Sequence, residues 1–255
     1  VDAGAMRTRY AATDGGFRLS GTKRFITGAG TATAYTVFAT RDPAERTRGI
    51  SAFLVYKDDP GVSFGAKEHK LGIHGSPTAE VYLEDVELPE DRLIGEECQG
   101  FAIAMQTLDY SRPTIAAQAL GIAQGAFDVA APYTTTREQF GAPIAELQGI
   151  QFMLADMATE IEAARLLVYR SASMVDARDP RTTLYASMAK CFASDMAMRV
   201  TTDAVQLLGG YGYMREYPVE RMMRDAKITQ IYEGTNQIQR VVIARQILKS
   251  LAGTA

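Results

Sequence analysis

The chain has 255 residues, of which 47% are hydrophobic and 22% charged, and its formal net charge is −3. This length suffices for one large domain or two ordinary ones, and the composition is that of a globular protein. The slight negative charge gives no sign of a nucleic-acid-binding surface, and no apolar run is long enough to span a bilayer.

The two cysteines and two histidines do not form a metal-ligand pattern. Cys98 and Cys191 lie far apart in the sequence, and His69 and His74 are close to neither of them. Zinc-type spacing cannot be built from this set, so we predict no metal site. Two free thiols suit a reducing compartment and favour a cytoplasmic location, although the sequence also leaves a disulfide between them open.

Residues 6–89 consist of short β-rich runs separated by turn residues. Asp14-Gly15-Gly16 and Asp59-Pro60-Gly61 are typical of tight turns, because glycine adopts positive φ and proline fixes φ. Six such runs without a helical period between them predict an antiparallel β-sandwich or barrel in a domain of residues 1–98. The predicted strands are Met6–Thr13, Phe17–Thr27, Tyr35–Arg41, Ile50–Lys57, Val62–His69 and Ala79–Leu88.

After Gly95 the hydrophobic period becomes helical. Proline lacks a backbone N–H, so Pro113 predicts a kink or a restart of the first helix near Ser111-Arg112. The predicted helices are Phe101–Ala131, Glu146–Ala177, Arg181–Leu208, Val219–Ile228 and Asn236–Leu251. Strands followed by helices indicate two domains, the second being an all-α four-helix bundle of residues 99–255.

The segment Arg224–Arg240, RDAKITQIYEGTNQIQR, places one carboxylate at a helix entrance. Glu233 follows an apolar pair and precedes Gly234, which lets a bulky ligand approach the backbone. The next residues, Thr235 and Asn236, are good N-cap residues. Two interpretations stay open: Glu233 is a general base, or it is a solvated side chain in an ordinary capping loop.

Four further segments carry side chains that suit a ligand, and each also has an ordinary structural explanation. Phe25-Ile26-Thr27 can hold a flat ring, or its apolar pair can pack in a sheet. Asp109–Arg112 lies at the predicted kink. Arg137–Phe140, followed by Gln148, and the glycine-rich Gln206–Tyr213 can bind a phosphate or an aromatic ring, or can be capping and surface features.

Taken together, these segments resemble the acyl-CoA dehydrogenase family over essentially the whole chain. The motifs that carry the resemblance are GTKRFITGAG, HKLGIHGSPTAEVYLEDVELP, LDYSRPTIAAQALGIAQGA, REQFGAPIAELQGIQ, QLLGGYGY and RDAKITQIYEGTNQIQ. The resemblance implies the family's middle β domain followed by its C-terminal helical bundle, in an enzyme of short-chain or branched-chain type. The family's N-terminal helical domain has no counterpart here, and Asp2-Ala3-Gly4 resembles the end of its flavin-binding loop. We therefore expect the sequence to be a piece of a longer protein.

The resemblance implies that Glu233, in the YEGT motif, is the catalytic base. Some relatives place the base at the position that here is Ser111, and a serine cannot do that work. The implied reaction is α,β-dehydrogenation of an acyl-CoA thioester, in which Glu233 takes the α-proton and a hydride passes from Cβ to N5 of FAD. The residues implied to line the acyl-CoA site are Asp109, Tyr110, Ser111, Arg112 and Gly234.

The resemblance also implies FAD as the cofactor. The residues implied to lie beside the flavin ring are Phe25, Ile26 and Thr27, with Phe where the family has Trp. Those implied to contact the FAD of the same subunit are Thr235, Asn236 and Gln237. Those implied to hold the FAD of a neighbouring subunit are Arg137, Phe140, Gln148, Gln206, Leu207, Leu208, Gly209 and Gly210.

The implied partners are an acyl-CoA substrate, an electron-transfer flavoprotein as electron acceptor, and further copies of the chain in a tetramer, a dimer of dimers. Two alternatives stay open. One is an acyl-CoA oxidase, which passes its electrons to oxygen. The other is a non-catalytic partner subunit of a heteromeric acyl-CoA dehydrogenase.

Overall fold

The structure is a computed structural model that describes residues 3–253. Val1 and Asp2, and with them the start of the predicted flavin-loop remnant, lie outside the described residues. The chain divides into two compact units, Val1–Thr107 and Leu108–Ala255. The predicted domain boundary at residue 98 stays a prediction. Helix α1 (Gly100–Thr136) begins just after that residue and runs across the division between the two units.

The first unit contains one seven-stranded mixed sheet. Its strands are β1 (Arg9–Thr13), β2 (Gly16–Thr27), β3 (Ala34–Thr40), β4 (Ile50–Tyr56), β5 (Val62–Phe64), β6 (Thr78–Pro89) and β7 (Leu93–Ile94). The strand order is β5-β6-β2-β1-β3-β4-β7. Neighbouring strands are antiparallel except β1 and β3, which meet in parallel through Arg9 and Thr40. The predicted fold class, a β unit followed by a helical unit, is confirmed, while this parallel pair was not predicted.

Strand β2 carries the predicted flavin-side residues at an irregular point of its ladder with β6. The register shifts twice, between Leu19 and Gly21 and between Lys23 and Ile26. Gly21 has φ +145, and a Cβ there would lie 2.8 Å from Cα of Thr8, so this close approach requires glycine. At the second shift Phe25 takes a left-handed φ of 57. The bulge therefore turns Phe25 out of the regular alternation of the strand.

The strand predictions differ from the structure mainly at β5. The predicted strand Val62–His69 pairs with β6 only over Val62–Phe64. Beyond it, Gly65 N and Glu68 N donate singly to β6 carbonyls instead of continuing the ladder. Strand β7 has two residues, too few to show alternation in the sequence.

The second unit is helical. After α1 follow α2 (Gln148–Asp176), α3 (Thr182–Leu208), α4 (Val219–Ala226) and α5 (Asn236–Leu251), with a 3₁₀ turn, Lys227–Gln230, between α4 and α5. Two side-chain hydrogen bonds show that α2 and α3 are antiparallel. Arg170, late in α2, donates to Tyr185, early in α3, and Arg199, late in α3, donates to Glu160, in the first half of α2. Alanines form much of the buried face of α1 and α3, and they share one hydrophobic core with residues of α2 and α4.

Of the two outcomes predicted at Pro113, the restart of the first helix is wrong, and the kink stays a prediction. Helix α1 continues through Pro113 and Pro132 to Thr136. A proline inside a helix removes one backbone donor, but Pro113 is buried, so packing holds the helix together. The hydroxyls of Thr114 and Thr134 donate to carbonyls three residues earlier and satisfy two of the acceptors near the prolines.

Two predictions from composition can be compared with the structure. Within residues 3–253, no helix has the length and apolar character needed to cross a membrane. Cys98 and Cys191 are both free thiols, so the disulfide left open by the sequence is not formed.

Candidate active site

Glu233 lies in a tight turn between the 3₁₀ turn Lys227–Gln230 and helix α5. The backbone is left-handed at two consecutive residues, with φ of 52 at Glu233 and 92 at Gly234. A left-handed conformation costs a non-glycine residue about 1–3 kcal/mol and tends to occur where the surrounding structure enforces it. Thr235 then caps α5, since its side chain accepts from Ile238 N at 3.4 Å. The turn is thus a strained connection that ends in a regular helix cap.

Helix α1 holds the side chains of this turn. Ser111 Oγ donates to Glu233 Oε2 at 2.7 Å. The neighbouring Tyr232 hydroxyl donates to Oε1 of Gln118, about two helical turns after Ser111 on α1. Burial, reinforced by the charge of Glu233, raises the pKa of Tyr232 to about 12, so its hydroxyl stays neutral. The half-buried carboxylate of Glu233 is oriented by the Ser111 hydroxyl, and the neighbouring Tyr232 is held separately by Gln118.

Buried donors hold the backbone carbonyls of the turn. Arg112 Nε lies 3.4 Å from Glu233 O, and Gln239 Nε2 donates to Glu233 O at 3.2 Å and to Gly234 O at 3.1 Å. The Arg112 side chain is anchored by Asp109 at 2.7 Å, which in turn accepts from Thr183 at 2.5 Å. Burial lowers the pKa of Arg112, while the charges of Asp109 and Glu233 oppose that shift.

Close packing explains the glycine after Glu233. A Cβ on Gly234 would lie 2.7 Å from Gln239 Nε2 and 3.8 Å from a guanidinium nitrogen of Arg112. The positive φ and the close donor both require glycine at this position. The glycine therefore serves the hydrogen bonding of the turn, which is a reason beyond the ligand approach expected from the sequence.

The predicted residues Asp109 to Arg112 lie together on α1 near Glu233. Ser111 and Arg112 contact the turn directly, and Asp109 reaches it through Arg112. Tyr110 is 42% exposed on the same helix. Of the residues that begin α5, Asn236 is buried and Gln237 is exposed.

A second cluster of predicted residues surrounds a cavity of about 520 Å³ in the helical unit. Its lining residues are Tyr133, Arg137, Gln139, Ile144, Leu207, Leu208, Gly209, Gly210, Tyr211 and Met214. The Arg137 guanidinium lies 5.5 Å from the centre of the Tyr211 ring. A Cβ on Gly209 or Gly210 would meet nothing within 4 Å, so bare backbone faces open space. A cation, an aromatic ring and open backbone suit a phosphate attached to a flat ring.

Three residues predicted to share this second cluster are not among those that line the cavity in the described part of the chain. Phe140 is 94% exposed and has a left-handed backbone. Gln148, the first residue of α2, and Gln206, near the end of α3, are both exposed. Phe140 lies in the turn of the small hairpin formed by Glu138–Gln139 and Ala142–Pro143, and Gln148 follows this hairpin in the chain.

In the β unit, the predicted flavin-side residues follow the bulge of β2. The Phe25 ring is 65% exposed, with the Arg24 guanidinium 5.1 Å from its centre. Ile26 packs partly against the core of the sheet, and Thr27 pairs with Thr78 of β6. An exposed aromatic face at a strained backbone position suits contact with a flat ligand.

Two family models match the chain. The acyl-CoA dehydrogenase middle domain matches residues 1–86, and the acyl-CoA dehydrogenase C-terminal domain matches residues 98–248, more than half of the chain. The chain belongs to the acyl-CoA dehydrogenase family.

Relatives with names or solved structures agree with this family. The chain is 57% identical over 248 residues to the probable acyl-CoA dehydrogenase FadE25 of Mycobacterium tuberculosis, covering 97% of this chain and 64% of that protein. It superposes on butyryl-CoA dehydrogenase from Megasphaera elsdenii with a TM-score of 0.95 and 50% identity, covering 97% of this chain and 64% of that one. A chain in a structure described as the electron transferring flavoprotein of Acidaminococcus fermentans also gives a TM-score of 0.95, at 53% identity and coverages of 97% and 65%. The chain therefore spans just under two thirds of the length of these relatives.

Sequence reasoning missed several residues around the Glu233 turn. Gln118, Thr183, Lys190 and Gln239 all bond residues of the Glu233 turn or their anchors. Gln239 follows the YEGT motif closely enough to be suspected from its place in the first turn of a helix. The other three lie on α1 and α3, and only the helix packing brings them near Glu233.

Among residues 3–253, no group of three or more His, Cys, Asp or Glu side chains could hold a metal ion.

Proposed function

We propose that this chain carries the catalytic part of a flavin-dependent acyl-CoA dehydrogenase, with Glu233 as the base that removes the α-proton of the thioester. The observation that supports this most is the Glu233 turn itself. A carboxylate held at 2.7 Å by Ser111, on a turn that is left-handed at Glu233 and Gly234 and is tied by buried Arg112 and Gln239, is fixed in one orientation. Such fixing is what a general base needs, because proton transfer depends on geometry.

The α-proton of a thioester is too weakly acidic for a free carboxylate unless the carbonyl oxygen is stabilised as charge develops. The backbone N–H of Glu233 is the proposed donor to that oxygen. The same turn would thereby supply both the base and one donor, and its rigidity would keep the two in register. Asp109, Tyr110, Ser111, Arg112 and Gly234 are the proposed acyl-CoA contacts.

The cavity lined by Arg137 and Gly209-Gly210 fits part of FAD. Its cation suits a phosphate, its Tyr211 ring suits an aromatic group, and its glycines leave room where side chains would intrude. When bound, FAD supplies the two-electron acceptor that takes the hydride from Cβ. Phe25, Ile26 and Thr27 are proposed to lie against the flavin ring, and Thr235, Asn236 and Gln237 against the FAD of the same subunit.

We further assign the cavity residues, together with Phe140, Gln148 and Gln206, to the FAD of a neighbouring subunit. This makes the proposed assembly a homo-oligomer, a tetramer built as a dimer of dimers, in the cytoplasm. The proposed electron acceptor is an electron-transfer flavoprotein. The likeness to a chain from the Acidaminococcus fermentans flavoprotein structure supports that partner.

The test is anaerobic addition of butyryl-CoA to the FAD-loaded protein. We expect the flavin absorbance to bleach and the α,β-unsaturated thioester to form, with reoxidation by electron-transfer flavoprotein. Rapid peroxide formation in air would instead identify an oxidase. Bound FAD that no acyl-CoA bleaches would contradict the proposal and favour the non-catalytic partner subunit.

A further inference from the structure

Lys190 is a buried cation to which the proposed dehydrogenation assigns no role. It lies in the middle of α3 and is 0% exposed. Its Nζ donates to the carbonyl oxygen of Gly234 at 2.8 Å and to Oδ1 of Asn236 at 2.9 Å. Among the ion pairs of residues 3–253, none includes Lys190.

A buried ammonium that is held by neutral oxygens is an unfavourable arrangement, because the charge loses its hydration without a direct counter-ion. Burial accordingly lowers the pKa of Lys190 to about 8, and Arg112 adds to the shift while Cys191, Asp195 and Glu233 oppose it. An apolar residue would avoid this desolvation cost but would leave the Gly234 and Asn236 oxygens without this donor. A lysine at this position therefore calls for a role that an apolar side chain cannot fill.

The atoms that Lys190 holds belong to the turn of the proposed base. The Gly234 carbonyl is part of the peptide that directly follows the two left-handed residues. It accepts from Lys190 and, at 3.1 Å, from Gln239. Rotation of this peptide plane would change ψ at Gly234 and φ at Thr235, the two dihedral angles that join the Glu233–Gly234 turn to its helix cap.

The second acceptor, Asn236, extends the same hold to the first residue of α5. Its amide nitrogen donates to Ser194 at 2.8 Å and to Asp195 at 2.7 Å, both on α3. Asp195 is fixed in turn by Arg240 at 2.6 Å. Lys190 is thus part of a hydrogen-bond network that connects Gly234 in the turn and Asn236 at the start of α5 to helix α3.

We propose that Lys190 is a positioning residue, which fixes the Glu233–Gly234 turn by holding the Gly234 carbonyl and the Asn236 amide. Its effect on the reaction rests on the proposed role of Glu233 as base, whereas its effect on the turn does not. A positioning role differs from a general packing role in being local, so the turn should loosen without loss of the whole fold.

The test compares Lys190→Met, which keeps the length of the side chain, with Ser187→Ala. Ser187 is the matched control, because it is buried on the same helix one turn earlier and its hydroxyl has no partner among the described residues. Amide hydrogen exchange of the peptide covering residues 231–236 is the first measurement and needs no activity. We expect exchange about tenfold faster in Lys190→Met and unchanged in Ser187→Ala.

The second measurement is α-deuterium exchange into 3,3-dimethylbutanoyl-CoA, a thioester that has α-protons but no β-hydrogen to lose. The exchange rate should fall by about 10- to 100-fold in Lys190→Met, while FAD content and the acyl-CoA concentration at half-saturation stay within about twofold. If Lys190→Met does not fold, Lys190→Gln keeps a neutral amide one bond shorter, and the same loosening is expected.

Unchanged hydrogen exchange at residues 231–236 would overturn the proposal. So would a loosened turn with full α-deuterium exchange, or an equal loss of melting temperature and of all binding, which would show a packing role only. If the wild-type protein performs no α-deuterium exchange, the proposed function fails, and the hydrogen exchange of the turn still decides whether Lys190 holds it.

Discussion

Replacing Gly234 by alanine tests whether the turn depends on its hydrogen bonds. The new Cβ would lie 2.7 Å from Gln239 Nε2, and the residue would keep φ near 92. The left-handed conformation costs alanine about 1–2 kcal/mol. The Gln239 amide is the end of a flexible side chain and can retreat, but it then leaves the carbonyls of Glu233 and Gly234, at about 1–3 kcal/mol. Together we expect a loss of about 2–5 kcal/mol in the free energy of unfolding.

The assay is urea unfolding followed by far-UV circular dichroism, with Gly121→Ala as the control. Gly121 is exposed on α1, and a Cβ there meets nothing within 4 Å, so alanine should be neutral or add up to about 1 kcal/mol. Equal stability of Gly234→Ala and wild type, within about 0.5 kcal/mol, would refute the hydrogen-bonding role of the turn.

Three further predictions concern other parts of the chain. Arg137→Leu should lower the flavin content about tenfold, because it removes the cation of the cavity. Visible absorbance measures the flavin content, and the exposed Arg178→Leu is the control. Equal flavin content in the two variants would contradict the cavity assignment. Hydrogen bonds from Arg181 lower the pKa of Asp179 from 3.8 to about 2. The stability that this pair contributes should therefore be present above pH 3.8 and lost as the pH falls toward 2. Arg181→Met should flatten that part of the curve of unfolding free energy against pH. Burial raises the pKa of the Cys191 thiol. An aromatic disulfide reagent should therefore modify the half-buried Cys98 quickly and Cys191 only after unfolding. Rapid modification of two thiols per folded chain would contradict this prediction.

The sequence was informative where the signal is local. Alternation gave most strands of the sheet, and the Gly and Pro signals placed the turns at Gly15 and Gly61, both of which have positive φ. Capping residues gave the start of α5 at Asn236. The parallel contact of β1 with β3 could not be predicted, because register between distant strands leaves no local pattern.

At the candidate site, the sequence pointed to the Glu233 turn and not to the residues that hold it. The YEGT motif pointed to Glu233, and the resemblance of other segments pointed to Ser111 and Arg112. Lys190 gave no such signal, because a lysine in an alanine-rich helix is usually solvated, and only the packing of α3 buries it. Pro113 misled the prediction for the opposite reason: tertiary packing outweighed the local preference to break the helix.

The central claim is that Glu233 removes the α-proton, and Glu233→Gln tests it most directly. Glutamine keeps the shape of the side chain and an oxygen for the Ser111 hydroxyl, so FAD and acyl-CoA binding should persist. The measurement is α-deuterium exchange into 3,3-dimethylbutanoyl-CoA, with the exposed Glu216→Gln as the control. The rate should fall by about 10²- to 10⁴-fold in Glu233→Gln and stay at the wild-type value in Glu216→Gln. Exchange at the wild-type rate in Glu233→Gln would show that another group removes the proton.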